Sequence, residues 1–93
     1  MKTVFKYPLI ATDNQVVYIP SEKILSVRGQ GSSIVLYALV DTDKKEEVHA
    51  YEIGINGTGN LITFDVDNFT FLGTVKIFDG RLMFHVFYKK ITD

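Results

Sequence analysis

The segment Asn56-Gly57-Thr58-Gly59-Asn60 is the part of this chain best suited to hold a ligand. Glycines let the backbone approach closely, and successive N–H groups can form an anion-binding concavity. Thr58 adds a hydroxyl. The same pattern also suits a plain turn with positive φ at Gly57 and Gly59. No Gly-Lys-Ser/Thr and no helix start follow it, so it is not a Walker loop. Arg28 and Arg81 are the only arginines. Their planar guanidinium groups suit phosphate or carboxylate. Tyr7, Tyr18, Tyr37, Tyr51 and Tyr88 offer stacking faces for a base or anchors for a protein. Tyr37 and Tyr51 are the candidates for base stacking. The expected ligand-binding set is therefore Asn56, Gly57, Thr58, Gly59, Arg28, Arg81, Tyr37 and Tyr51.

Catalysis finds less support. Nucleophilic chemistry needs a nucleophile, a base and a group that orients the base. The chain has no cysteine and no Gly-x-Ser-x-Gly elbow. His85 lies in the apolar run Phe84-His85-Val86-Phe87, where a core or interface histidine with one satisfied nitrogen is expected. His49 borders an acidic segment and is expected to be exposed. Two histidines without carboxylate spacing make a weak metal signal. Asp65 and Asp67 resemble the start of a calcium loop, but its glycine and closing glutamate are missing. No cofactor, metal or enzymatic activity is expected.

The elements that must position these residues read as strands. Lys2–Tyr7 is the first, and Pro8 marks its end or a sheet edge. A turn at Thr12-Asp13-Asn14 leads to Gln15–Ile19. Ile24–Gln30 follows, with Leu25 and Val27 on one face and Ser26 and Arg28 on the other. Ile34–Val40 is apolar on both faces and reads as a central strand covered on both sides. Asp41–Glu47 is a solvated hairpin loop. Val48–Ile55 is a strand, Leu61–Phe64 a short one, and Asp65–Asn68 a turn. Phe69–Phe78 places Phe71, Gly73, Val75 and Ile77 on one face. Asp79-Gly80 is a strong hairpin signal, because a type I′ turn needs positive φ at both central residues. It should set Phe78 beside Arg81. The return strand, Arg81–Tyr88, alternates Leu82, Phe84, Val86 and Tyr88 against Met83, His85 and Phe87. Lys89–Asp93 reads as a frayed tail. The expected fold is all-β and mostly antiparallel: one domain over 1–93, a small β-sandwich or partly open barrel of about seven strands with little helix.

Composition narrows the function. The net charge is -1 over 93 residues, and the lysines are dispersed, so duplex nucleic acid is not an expected partner. Absence of cysteine fits a reducing cytoplasm and excludes a disulfide scaffold. Met1–Lys6 lacks the apolar stretch of a signal peptide. The longest apolar run is far short of the ~20 residues that cross a bilayer.

The pieces Lys6-Tyr7-Pro8-Leu9, Asp13-Asn14-Gln15, Ile24-Leu25-Ser26-Val27, Leu36-Tyr37-Ala38-Leu39-Val40-Asp41, Gly57-Thr58-Gly59, Gly73-Thr74-Val75 and Phe84-His85-Val86-Phe87 resemble, in that order, an uncharacterised family of small proteins encoded by phages and prophages. The resemblance implies a phage origin and a place in the cytoplasm of the infected bacterial host. Small non-enzymatic phage proteins often counter host defence. The expected function is a counter-defence protein that sequesters a small nucleotide-derived immune signal without cleaving it. The alternatives are a protein–protein inhibitor of a host defence enzyme, and a minor virion or assembly component. With 46% apolar residues and a strand apolar on both faces, exposed apolar patches should form an interface between copies. Light scattering is expected to report at least a dimer; a monomer at high micromolar concentration would contradict this.

Overall fold

The computed structural model describes residues 1–11 and 14–91, so the expected turn at Thr12-Asp13-Asn14 lies largely outside the described residues. Seven strands form: β1 (Lys2–Leu9), β2 (Gln15–Ile19), β3 (Lys23–Gln30), β4 (Ser33–Asp41), β5 (His49–Gly57), β6 (Thr70–Ile77) and β7 (Leu82–Lys90). They build two antiparallel sheets, ordered β1-β4-β3 and β2-β5-β7-β6. The architecture is a small all-β sandwich. Two short 3-10 turns, Thr42–Lys44 and Val66–Asn68, are the helical elements among the described residues. None of the helices is long and apolar enough to cross a membrane.

Alternation drives the packing. Ile34, Leu36, Ala38 and Val40 of β4 are fully buried, and the first three pack in one core with Ile53, Ile55, Val75, Ile77 and Val86 of the second sheet. β4 is central, as its apolar run suggested, but it is not layered on both sides. Its other face carries Val35, Tyr37, Leu39 and Asp41, with β1 and β3 side chains beside them.

Two β-bulges reverse expected faces. The register shift between Ile24 and Ser26 makes Leu25 the extra residue. Ile24 and Val27 pack inward, while Leu25 stays 40% exposed. A second shift, between Phe71 and Gly73, inserts Leu72. Phe71 therefore turns outward, beside its partner Phe87, while Gly73, Val75 and Ile77 keep the inner face. One extra residue inverts the alternation on one side of it.

Three further expectations change. Leu61–Phe64 is not a strand but part of a crossover lying over the second sheet. Asp41–Glu47 is solvated, yet it passes from one sheet to the other and is not a hairpin. The tail is not frayed at Lys89 and Lys90, which pair with Glu52 and Tyr51; Ile91 N–H also donates to Ala50 O at 2.9 Å. Thr92 and Asp93 lie outside the described residues.

The sheets touch along β3 and β6. A Cβ on Gly29 would stand 2.1 Å from the Lys76 carbonyl oxygen, so only glycine permits this backbone approach. On the outer face of the second sheet, Phe64 lies on Gly54, where a Cβ would stand 2.6 Å from the ring. The two glycines therefore differ in what opposes them. Gly29→Ala pushes against a fixed backbone and is expected to cost about 3 kcal/mol or more. Gly54→Ala pushes against a ring on a loop that can swing aside, at about 1–2 kcal/mol. Urea unfolding of both variants checks this order, and equal losses would refute the seam.

Candidate functional site

β5 delivers the glycine-rich loop to one end of the second sheet. Asn56 pairs with His85, and Gly57 with Phe84. The chain then closes on itself. Thr58 N–H donates to Met83 O at 3.3 Å and Asn60 N–H to Gly57 O at 3.1 Å. Asn56 Nδ2 donates to Gly57 O and Asn60 O at 3.1 and 3.0 Å. Of the two glycines expected at positive φ, Gly59 is so placed at +86° and Gly57 is not. Gly57 is needed for space, since its Cβ would meet Asn60 Nδ2 at 2.9 Å. The Thr58 amide is thus committed to β7 and the Asn60 amide within the loop, and an anion-binding concavity of free N–H groups does not form from them.

The β6–β7 hairpin brings the charge. Asp79 and Gly80 have φ of 56° and 83°, and Arg81 N–H donates to Phe78 O at 3.1 Å, the turn expected from Asp-Gly. Phe78 is left-handed too, at 54°, and its N–H donates across to Gly31 O at 3.0 Å. The tip therefore bends toward the β3–β4 turn and presents Arg81 to the glycine-rich loop. Gly57, Thr58, Asn60, Arg81 and Met83 line one open groove of about 480 Å³.

A row of three side chains stands beside Thr58. Its Oγ1 is 2.7 Å from His85 Nε2, and His85 Nδ1 is 3.0 Å from Thr74 Oγ1. His85 is thus not a core residue with one satisfied nitrogen. It lies on the outer sheet face with both nitrogens bonded to hydroxyls. The order hydroxyl, imidazole, hydroxyl has the outline of a nucleophile–base pair. Thr74 is neutral, however, and cannot stabilise an imidazolium as a triad carboxylate does. The row holds the Thr58 hydroxyl against the His85 ring. Thr74 and His85 were absent from the expected site, although their register was available. A turn that pairs Phe78 with Arg81 also pairs Thr74 with His85.

The remaining expected residues divide. Arg28 and Tyr37 sit together on the outer face of the first sheet, through the pairs Arg28↔Val35 and Ser26↔Tyr37. They are not part of the groove. Tyr51 faces the core at 1% exposure and cannot stack on a ligand. Its hydroxyl donates to Ser21 O at 2.6 Å. His49, expected to be exposed, is 9% exposed. Its Nε2 lies 3.9 Å from Glu22. It lines a smaller cleft of about 230 Å³ at the far end of β5.

Fold and site define an antiparallel β-sandwich domain with an open, arginine-bearing groove at one end. The chain matches, over residues 1–92, the family described as Domain of unknown function (DUF7352), and it belongs to that family. No curated protein and no solved structure matches it.

Burial raises the Tyr51 phenol above the usual tyrosine range, with Glu22 and then Tyr88 adding to the shift. A pKa raised on folding stabilises the native state fully below the unfolded value of about 10, and that contribution is lost as pH climbs through the folded value. Tyr7 is raised by burial as well. Tyr51→Phe is expected to cost about 1–2 kcal/mol near neutral pH, because the Ser21 carbonyl loses its donor. It should also flatten, without abolishing, the decline in stability above pH 10. Denaturant titrations across pH 7–11 measure both effects, and an unaltered alkaline slope would show that Tyr51 does not carry the burden.

Proposed function

We propose that this is a phage-encoded counter-defence protein that binds, and does not cleave, a small nucleotide-derived immune signal in the cytoplasm of the infected host. The observation that carries the reading is the convergence of Arg81, Gly57 and Thr58 on one groove from segments over 20 residues apart in sequence. An arginine and a threonine hydroxyl on one groove suit a phosphate with attached polar groups. Copies of the chain associate through β2. This edge strand pairs only with β5 among the described residues and has no charge or proline to guard it. Val16 and Tyr18 on it are 45% and 70% exposed. The other free edge, β1, carries Lys2, Lys6 and Pro8.

The outer face of the first sheet favours a second reading, an inhibitor that covers an acidic surface of a host defence enzyme. Lys2, Lys6, Lys23 and Arg28 lie there with Tyr37, Val4 and Leu25, and Asp41 with Glu22 and Glu47 gathers at the Lys2 and Lys23 end.

Calorimetry against cyclic dinucleotides and ADP-ribose derivatives separates the two readings. Sequestration predicts a Kd below roughly 10 μM for at least one compound. Arg81→Ala should weaken it by about tenfold or more, and heat denaturation should release the ligand intact. Chemically altered ligand would mean an enzyme. If no compound binds, the groove reading falls. Capture of a host protein that is lost on combining Lys6→Glu with Arg28→Glu would then support the inhibitor.

A further inference from the structure

The main-chain ladder fixes what β2 offers at its open side. Ile91 N–H donates to Ala50 O, so Ala50 directs its N–H and C=O to the β7 side of β5. In an antiparallel pair, opposed residues alternate between exchanging both bonds and exchanging none. Tyr18 stands opposite Ala50 and Val16 opposite Glu52. Both therefore point their N–H and C=O away from β5. Their side chains are the exposed ones of the strand, on the outer face of the sheet. The other sheet edges are closed or guarded. β3 and β6 meet at the Gly29 seam, and β1 carries Lys2, Lys6 and Pro8.

A second copy of β2 laid antiparallel on this edge has one register that uses the whole strand. Opposed residues must share a face. Pro20, just past the strand, has no N–H to give. Centring the pair on Val17 sets Val16 of each copy opposite Tyr18 of the other, so the groups that face the open side meet one another. The two Val17 residues then oppose each other on a two-fold axis. Centring on Tyr18 sets Val16 against Pro20, and centring on Val16 sets Tyr18 against Asn14, both outside the strand. The side chains agree with the Val17 register. Tyr18 lies across from Val16 on the outer face on both sides of the axis, and aromatic with β-branched is a stabilising cross-strand pair. No charge meets a like charge, because β2 carries none.

We infer that two copies of this chain pair β2 to β2, antiparallel and centred on Val17, and join their four-stranded sheets into one continuous sheet. The inference rests on the association through β2 proposed above and adds its register. A second copy is the occupant because the strand is complementary to itself, and a two-fold pair closes without leaving a further open β2 edge.

The chain has no cysteine, so single substitutions report the register through disulfide formation. Opposed residues that exchange no bonds have Cα atoms about 4.5 Å apart, within the span of a disulfide. Val17→Cys is expected to give a covalent dimer under mild oxidation. Val16→Cys alone and Tyr18→Cys alone should not, since each lies diagonal to its own counterpart, but a mixture of those two variants should cross-link. Val16→Pro removes an N–H that faces the open side and no bond within the fold. It should leave the circular dichroism spectrum unchanged and be monomeric in sedimentation velocity at concentrations where the wild type is a dimer. Cross-linking of Val16→Cys alone or Tyr18→Cys alone, or of no cysteine variant while the wild type is a dimer, would overturn the register and leave association itself intact. A dimer that survives Val16→Pro, or a wild type that stays monomeric at high micromolar concentration, would overturn both.

Discussion

The contact between the β3 and β6 backbones at Gly29 governs the arrangement of everything else. Stacked sheets normally stand about 10 Å apart, held off by side chains. Here one edge of the sandwich has no side chain to hold it off, and the Lys76 carbonyl occupies the space a Cβ would need. Gly73, further along β6, repeats the approach more gently, with Val27 Cγ1 at 3.1 Å from its would-be Cβ. The sheets therefore meet along β3 and β6, and the opposite side carries the free edges β1 and β2. The seam also determines where the hairpin tip goes. β6 leaves it at Ile77, and the next residue bonds Gly31 of the neighbouring sheet before the chain turns back.

The outer faces of the two sheets are treated differently. The second sheet is covered by its own crossover. Phe64 lies on Gly54 and meets Phe69 at 4.9 Å and Phe87 at 5.7 Å, and Phe71 extends the cluster from Phe87 at 5.3 Å. Lys89 closes it with its ammonium over the Phe69 ring. Among the described residues no crossover covers the first sheet in this way. Its outer face remains a cationic surface with an aromatic centre, although the chain as a whole is slightly acidic. A nearly neutral composition thus conceals a one-sided charge distribution, which composition cannot express.

Much of the fold was legible because it follows from alternation and from one turn. The seven strands and the Asp79-Gly80 hairpin depend on local chemistry: β-branched and aromatic residues in runs, and a glycine where φ must be positive. The bulges at Leu25 and Leu72 were not legible. Each is one residue of a leucine-containing run that reads equally well in either register, and the tertiary contact decides. The site divided along the same line. Gly57, Thr58 and Arg81 were named from residue type, but their meeting is set by the seam and the bent tip. The burial of Tyr51 is not legible in sequence, because a tyrosine in an apolar strand can face either way. Its burial depends on the Ser21 carbonyl waiting at the β2–β3 corner, where the Ser21 hydroxyl also reaches Leu39 O and Lys23 O. His85 was judged from its apolar neighbours in sequence, whereas its partners Thr58 and Thr74 come from another loop and another strand.

The backbone at Phe78 decides where the hairpin tip goes. A bulky residue at φ 54° is an outlier, and such residues cost on the order of 1–3 kcal/mol and persist where surrounding structure over-determines them. A two-residue type I′ turn needs positive φ only at Asp79 and Gly80, so the hairpin could close without this strain. What the strain accomplishes is direction. With Phe78 left-handed, its N–H turns to Gly31 O, and the tip no longer continues the twist of β6 and β7. Gly80 and Arg81 come to stand across from Gly57 and Thr58. Phe78 itself stays 47% exposed, so core packing does not account for its conformation. The strain, the bond to Gly31 and the Gly29 seam share one geometric result: Arg81 lines the same open groove as Thr58, whose hydroxyl lies against His85.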